Sequence, residues 1–207
     1  MKVLNLYAGI GGNRKLWTDV DITAVELNPD IAKIYQDFFP DDKVIVGDAH
    51  EYLLQHYKEF DFIWSSPPCP SHSDIRRAGT HRGQQPAIYP EMSLYQEIIL
   101  LRTYAPFETA WVVENVRPYY KALIPPTVEL HRHYLWSNFY MKKYNIKDDR
   151  KHQDIVGTET VYGFSVKEYD INNKRTLLRN LINPILGEYI LDCAINSMNN
   201  QELKLEL

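Results

Sequence analysis

Val3-Leu4-Asn5-Leu6-Tyr7-Ala8-Gly9-Ile10-Gly11-Gly12 is the stretch of sequence that decides the fold. Its short apolar run is typical of a buried strand. The glycines that follow permit a sharp turn and let the backbone approach a ligand closely. The pattern Gly-x-Gly-Gly is shorter than a full dinucleotide-binding motif, so alone it indicates either a plain turn or a nucleoside site.

Apolar runs and helical stretches alternate beyond this turn. Strands are predicted at 22–25, 44–46, 60–64 and 111–113, and helices at 29–38, 51–57 and 93–104, with the start of another at 13–17. This alternation predicts an α/β fold with a mostly parallel central sheet and helices on both faces. After Pro125-Pro126 the chain becomes rich in Tyr, His and Lys, and helical character returns at 177–197.

The composition is that of a globular protein, with 44% apolar and 24% charged residues among 207. Two cysteines do not form a disulfide framework. Neither a leader nor a membrane-spanning run is evident, so we expect a soluble, cytoplasmic protein without a membrane partner. No metal site is predicted.

The charge distribution bears on nucleic-acid binding. The net charge of −4 is weak evidence against it, but residues 19–61 alone carry a net −8, which leaves +4 elsewhere. A protein can contact DNA with one basic face and keep an acidic back. Asymmetry of this size is also common in soluble proteins, so it does not decide the matter.

Two acidic residues follow predicted strands. Glu26 ends the second strand, where a carboxylate can accept hydrogen bonds from ribose hydroxyls, and Asp48 ends the third. Each has a plainer interpretation, Glu26 as a solvated loop acid and Asp48 as a helix cap. Because parallel sheets bind ligands at the carboxyl ends of their strands, the two positions together favour a nucleoside cofactor.

Two further motifs carry reactive groups. In Ser66-Pro67-Pro68-Cys69-Pro70 the prolines stiffen the backbone around a cysteine whose thiolate can act as a nucleophile. The alternative is a small buried cysteine in a proline turn. The strand Trp111-Val112-Val113 runs straight into Glu114-Asn115, and a protonated Glu114 could donate a hydrogen bond to a ring nitrogen.

In this order, the glycine motif, Glu26, Asp48, Pro67-Pro68-Cys69 and Glu114-Asn115-Val116 resemble the motifs of the DNA cytosine-5 methyltransferases. The family usually has Phe where Tyr7 stands. Asn183-Pro184-Ile185-Leu186-Gly187-Glu188 resembles the last family motif, without its usual preceding glycine. His131-Arg132-His133 lies where the arginine motif belongs, without its glutamine and second arginine.

The resemblance implies an S-adenosylmethionine-dependent methyltransferase fold and methylation of carbon 5 of cytosine in DNA. Cys69 would attack carbon 6 of a flipped-out base, Glu114 would bond N3, Asn115 would hold the loop and Arg132 would bond O2. The residues that would line the cofactor pocket are Tyr7, Ala8, Gly9, Ile10, Gly11, Glu26, Leu27, Asp48, Ala49, Pro68 and Asn183.

The resemblance also divides the chain. It implies a catalytic and cofactor-binding domain over 1–137, a reduced target-recognition region over 138–178, and a C-terminal helix over 179–207 that returns to the first domain. Residues 71–83 would form a mobile loop that closes over DNA. The side chains expected to contact nucleic acid are Ser71, Arg76, Arg77, Arg82, Lys142 and Lys143.

A recognition region this short makes few base contacts, so we expect a target of roughly two to four base pairs, or a second subunit that completes the surface. It also leaves open the same chemistry on RNA or a free cytosine nucleotide. An amino-group methyltransferase would have an aromatic residue in place of Cys69. A catalytically inactive binding protein would have lost Cys69 or Glu114. A part in restriction–modification, in a bacterium or phage, is a further expectation from the resemblance.

Overall fold

The computed structural model describes residues 1–143 and 162–205, with side chains described up to residue 200. Its strands are β1 (Lys2–Leu6), β2 (Asp21–Glu26), β3 (Lys43–Val46), β4 (Phe62–Ser65), β5 (Ala110–Val116), β6 (Val128–Leu130) and β7 (His133–Ser137). Its helices are α1 (Pro29–Phe38), α2 (Ala49–His56), α3 (Asp74–His81), α4 (Ser93–Tyr104), α5 (Lys174–Arg179) and α6 (Pro184–Leu205).

The strands form one sheet in the order β3-β2-β1-β4-β5-β7-β6. Strands β1 to β5 pair in parallel, whereas β7 pairs antiparallel with both β5 and β6. The predicted α/β class with a mostly parallel sheet is therefore confirmed. The order of strands reverses at β1, which places the glycine motif at the switch point, where such sheets bind ligands.

Alternate residues of each strand bury themselves on opposite faces, as the period of two requires. In β4, Phe62 and Trp64 join the core beneath α6, whereas Ile63 joins the core beneath α2 and α4. The face of α4 predicted to be apolar is buried, and Leu94 and Ile98 are each at most 1% exposed. Helices thus cover both faces of the sheet, as predicted.

The structure differs from the predicted elements at three places. Residues 13–17 form successive turns instead of a helix, because the bonds Arg14 N–H to Gly11 O and Trp17 N–H to Arg14 O each span three residues. Residues 71–83, expected to be a mobile loop, contain α3, which Ser73 caps by accepting from the Arg76 amide.

The third difference lies in the C-terminal helical stretch, which is two helices instead of one. Helix α5 ends before Asn180 and α6 begins at Pro184. A proline disfavours helical backbone at the residue before it and lacks an amide hydrogen, so it suits the first turn of a new helix.

The described ends of the predicted recognition region pack on the rest of the fold. Phe139 and Met141 join the core under α6. Phe164 and Val166 form a separate cluster with Ile10, next to the glycine motif. The predicted residues 144–161 lie outside the described part of the chain.

Candidate active site

The glycine motif and Glu26 form one interlocked unit. Tyr7 and Gly9 both have left-handed backbone, with φ of 56° and 55°. The Glu26 carboxylate accepts from the Gly9 amide at 3.0 Å and, through its other oxygen, from the Asn28 amide at 2.9 Å. A Cβ placed on Gly9 would meet nothing within 4 Å, so the turn opens onto free space at the carboxyl edge of the sheet.

Two neighbours complete this open edge. Leu27 is 68% exposed beside Glu26, although its side chain is apolar. Asp48 caps α2, since one carboxylate oxygen accepts from the amides of His50 and Glu51. The plainer interpretation of Asp48 is thus confirmed, and a cap that uses one oxygen does not exclude a ligand on the other.

These features fit a nucleoside cofactor. There is open space at Gly9, Glu26 holds a fixed carboxylate that could accept from ribose hydroxyls, and the exposed Leu27 could pack against a flat base. Three other residues predicted to line the pocket do not expose their side chains. The side chains of Ala8, Ile10 and Ala49 are buried, so they can reach a ligand only through the backbone.

The other glycines of the motif are required by packing. A Cβ on Gly11 would lie 2.3 Å from a ring carbon of Phe39, and a Cβ on Gly12 would lie 2.7 Å from the Ile182 carbonyl oxygen. A Cβ on Gly187 in α6 would lie 2.2 Å from the Asn13 carbonyl oxygen. The two motifs at opposite ends of the sequence are therefore in direct contact.

Asn183, predicted to line the cofactor pocket, stands at the start of α6. Its side-chain oxygen accepts from the Ile185 amide at 2.9 Å, and its carbonyl oxygen accepts from the Gly187 amide at 3.0 Å. It thereby caps the helix that packs on the glycine motif.

The Pro-Pro-Cys loop follows β4 and is tied to the end of β5. The Asn115 side chain donates to the Pro67 carbonyl at 2.8 Å, and the His72 amide donates to the Cys69 carbonyl at 3.0 Å. Pro68 is exposed and Cys69 is partly buried. Burial raises the pKa of the Cys69 thiol, Glu114 raises it further, and Arg132 lowers it.

The cysteine loop is held at the end of β5, the strand that carries Glu114, and at the same end the Arg117 amide donates to the Arg132 carbonyl at 2.8 Å. Glu114 is 5% exposed and forms a hydrogen bond with Nδ1 of His133, which is also 5% exposed. Arg132 donates from Nε to His133 Nε2 at 3.3 Å and from a terminal nitrogen to the Arg179 carbonyl at 3.3 Å. The structure therefore brings Cys69, Glu114 and Arg132 to one edge of the sheet.

A buried carboxylate that the sequence reasoning missed lies between the glycine motif and the end of β4. Glu97 is fully buried and accepts from Tyr7 Oη at 2.6 Å and Ser65 Oγ at 2.5 Å, and it bonds His50 Nδ1 at 2.9 Å. Burial and Glu97 raise the pKa of Tyr7 above its ordinary value. The signal was present in the sequence, because Glu97 falls on the apolar stripe of α4 between Leu94 and Leu101.

The predicted nucleic-acid contacts are spread over two places. Ser71 is buried and its hydroxyl accepts from the Glu91 amide at 2.9 Å, so in this structure it does not form surface. Of the arginines that follow Cys69, Arg76 bonds the Pro86 carbonyl, Arg77 pairs with Asp74 in α3, and Arg82 is exposed.

The two lysines predicted to contact nucleic acid lie at a different part of the fold from the arginines. Lys142 and Lys143 follow the end of β7, and β7 is antiparallel to β5. They therefore continue from the opposite edge of the sheet, and Tyr189 of α6 donates to the Lys142 carbonyl at 2.7 Å. The antiparallel turn of one strand carries these lysines away from Cys69.

The sequence profile of the C-5 cytosine-specific DNA methylase family matches residues 1–122. The chain belongs to this family. The predicted family is therefore confirmed. The enzyme class of this family is cytosine methyltransferase, and its cofactor is S-adenosylmethionine. The matched residues include Cys69 and Glu114, whereas Arg132 and Asn183 lie beyond them.

Several solved structures are similar to this methylase-family chain at low sequence identity. They include a triple mutant of Spodoptera frugiperda DNMT2, with 22% identity and a TM-score of 0.37 over 56% of this chain and 35% of that one. They also include the Entamoeba histolytica methyltransferase EhMeth, with 17% identity and a TM-score of 0.37 over 56% of this chain and 38% of that one. This chain thus spans well under half the length of either protein.

A third similar structure is a SAM-dependent methyltransferase from Agrobacterium tumefaciens, with 14% identity and a TM-score of 0.42 over 58% of this chain and 40% of that one. No curated protein matches the chain. Among the residues that the structure describes, no helix is both long and apolar enough to cross a membrane.

Proposed function

We propose that this chain methylates carbon 5 of cytosine in DNA through a covalent adduct of Cys69 with a flipped-out base. The observation that carries the proposal is that Asn115 holds the Cys69 loop at the end of β5 and that Glu114, next to Asn115, is linked through His133 to Arg132, at the edge onto which the Gly9 turn opens. A nucleophile, a carboxyl group and a cation beside a nucleoside pocket are the parts that this chemistry needs. Family membership supports the same reaction.

The chain's own groups account for the steps on the base. The base leaves the stack because its ring atoms are unreachable within a duplex. Cys69 thiolate forms a bond to carbon 6, and the electron pair of the 5,6 double bond moves to carbon 5. Glu114 donates a hydrogen bond to N3 and stabilises the charge that develops on the ring.

S-adenosylmethionine, when bound by Gly9, Glu26, Leu27 and Asp48, supplies the methyl group as an electrophile on its sulfonium. A base then removes the proton of carbon 5, the double bond re-forms, and the sulfur–carbon bond breaks to release Cys69 thiolate. Asn115 holds the Pro67 carbonyl throughout and so keeps the cysteine loop against β5. The predicted bond from Arg132 to O2 remains part of this proposal.

Duplex DNA is the substrate we favour. Arg77 and Arg82 stand at or near the surface just after Cys69, where cationic side chains can neutralise phosphates beside the reacting base. Such contacts position the strand without reading its sequence. We therefore expect binding that weakens steeply with salt.

The test is covalent trapping on an oligonucleotide that contains 5-fluorocytosine. Fluorine cannot leave as a cation, so the adduct with Cys69 accumulates after methyl transfer. We expect a stable complex with the wild-type protein and S-adenosylmethionine, and none with Cys69→Ser, because a serine hydroxyl is scarcely ionised at neutral pH. Cys193→Ser is the matched control and should trap normally.

The substrate class is decided by methyl transfer from labelled S-adenosylmethionine to duplex DNA, single-stranded DNA, tRNA and dCMP. Transfer to duplex DNA alone supports the proposal. Transfer to tRNA or dCMP alone would keep the chemistry and replace the substrate. A requirement for two subunits would appear as activity that rises with the square of protein concentration.

A further inference from the structure

Three side chains form a continuous row of hydrogen bonds that ends at Glu114. Arg132 Nε donates to His133 Nε2 at 3.3 Å, and His133 Nδ1 is bonded to Glu114 Oε1. His133 and Glu114 reach each other diagonally across paired strands, because Glu114 lies opposite Leu135 and His133 precedes Leu135 by two residues on the same face. Both are buried, so the bond between them is shielded from water, whereas Arg132 is exposed at the outer end of the row.

The row fixes where the protons are. An arginine guanidinium has donors only, so the Nε2 atom that receives Arg132 must carry a lone pair. His133 is then a neutral ring with its proton on Nδ1, and it donates that proton to Glu114 Oε1. Which nitrogen of a histidine is protonated is set by the partner of the other nitrogen.

The consequence falls on Glu114. Because Oε1 already accepts from His133, a proton on the Glu114 carboxyl group must sit on Oε2. No hydrogen bond from a described residue is made to Oε2. Oε2, the Glu114 oxygen that would carry the proton, therefore remains available to donate a hydrogen bond to a ligand.

We propose that His133 is a positioning residue, which together with Arg132 orients the Glu114 carboxyl group so that Oε2 faces N3 of the target cytosine. This inference rests on the proposed function and assigns His133 a part in it. In the sequence, His131-Arg132-His133 stands where the family has an arginine motif, and here the buried contact with the glutamate is made by an imidazole. Arg132 therefore reaches Glu114 through a relay, the His133 ring.

The first test compares two substitutions of His133 in the full chain. His133→Leu removes the donor to Glu114, whereas His133→Asn retains a donor nitrogen near the position of Nδ1. We expect kcat for methylation to fall roughly 10- to 100-fold in His133→Leu, the cost of a misplaced catalytic group. In His133→Asn it should stay within about 5-fold of wild type, because an orienting hydrogen bond is kept.

The readouts separate positioning from folding. KM for the oligonucleotide and the dissociation constant for S-adenosylmethionine should be unchanged within a few-fold in both variants, and the melting temperatures of the two should be alike. A purely structural role would lower stability and cofactor affinity together with kcat, and the asparagine would not rescue it. Equal kcat values in wild type and His133→Leu would overturn the inference.

The second test needs no activity. In protein labelled with ¹⁵N-histidine, the signal that disappears in His133→Asn should show a ring protonated at Nδ1 and bare at Nε2. A proton on Nε2 would overturn the relay whatever the enzyme does. Failure of the wild type to methylate any cytosine substrate would instead reject the proposed function, and the tautomer would still be read.

Discussion

At the scale of single residues, the surroundings of Cys69, the proposed nucleophile, favour the neutral thiol over the thiolate. Burial removes Cys69 from water and penalises its charged form, and the carboxylate of Glu114 acts in the same direction. Arg132 acts against both. A thiol whose pKa is raised needs either a higher pH or a bound substrate that changes its surroundings before it becomes a thiolate.

This gives the reaction a pH dependence of known sign. Since the pKa of Cys69 lies above its ordinary value, the thiolate fraction is small at pH 7 and rises with pH. Adduct formation on 5-fluorocytosine DNA should accelerate between pH 7 and 9, approaching tenfold for each unit of pH. Stopped-flow quenching measures this rate, and a rate that is flat over the range would mean that the thiol is already ionised.

Glu26 carries two kinds of bond, and their loss can be separated. Glu26→Ala should weaken binding of S-adenosylmethionine by roughly 1.5–3 kcal/mol, the range for hydrogen bonds to a charged group. Calorimetry measures the loss. Asp30→Ala removes an exposed acid nearby and controls for the change in charge; it should leave the affinity as it was. If Glu26→Ala binds S-adenosylmethionine with unaltered affinity, the role of Glu26 is only to hold the Gly9 turn through its hydrogen bond.

At the scale of elements, Glu97 links four of them. Its carboxylate bonds Tyr7 in the turn directly after β1, Ser65 in β4 and His50 in α2, while its own backbone belongs to α4. A buried network of this kind is stabilising only while every donor has its acceptor. The substitution of Tyr for the family's usual Phe at position 7 gives the network one of its donors.

Glu97→Leu should therefore lower the free energy of unfolding by roughly 2–4 kcal/mol, because donors are left buried without a partner. Tyr7→Phe removes one donor and leaves the acceptor satisfied by two others, so it should lower the free energy by only about 1 kcal/mol. Urea denaturation of both variants provides the comparison. Equal losses would show that the network does not act as a unit.

His50 adds a dependence on pH to the same network. Its hydrogen bond to Glu97 raises the pKa of His50 in the folded protein above the unfolded value. The stabilisation is then complete below the unfolded pKa and is lost as the pH rises through the folded one. The stability difference between wild type and His50→Gln should be larger at pH 6 than at pH 9. The exposed pair of His56 with Glu59 provides the control, and His56→Gln should have little effect at either pH.

Much of this element-scale picture could be predicted from the sequence, and the failures have physical causes. The alternation of strands and helices, including the strand that carries Glu114 and Asn115, is visible in the local pattern of apolar residues. The direction of β7 is not, because whether a strand pairs parallel or antiparallel with its neighbour has no local signature in the sequence. Serine is a residue type that favours helix N-caps, but Ser73 alone does not specify a helix among the glycines and charges that surround it.

At the scale of the whole molecule, the site depends on contact between distant parts of the chain. Gly12 abuts the Ile182 carbonyl and Gly187 abuts Asn13, so α6 holds the back of the glycine motif in place. The sequence does not indicate that Gly12 and Gly187 must lack side chains because the backbone from the other end of the chain packs against them. The resemblance to a family placed both motifs near the cofactor but not against one another.

Gly187→Ala tests this contact. Its Cβ would lie 2.2 Å from the Asn13 carbonyl oxygen, so the helix or the motif must move, at a cost of roughly 1–3 kcal/mol. Cofactor affinity should fall together with stability. Gly47→Ala is the matched control, because its Cβ would meet only an Ile45 methyl group at 3.9 Å. A neutral Gly187→Ala would show that α6 can move without disturbing the motif.

The contact of Gly187 with Asn13 also sets an order of events during biosynthesis. Translation delivers Asn13 early and Gly187 late, and at about 5–20 residues per second the interval between them is roughly 9 to 35 seconds. Throughout that interval the nascent polypeptide lacks α6, the helix that packs against the glycine motif. The proposed pocket for the methyl donor is therefore complete only after translation has passed Gly187, and nascent chains that stall before that residue should not retain the donor.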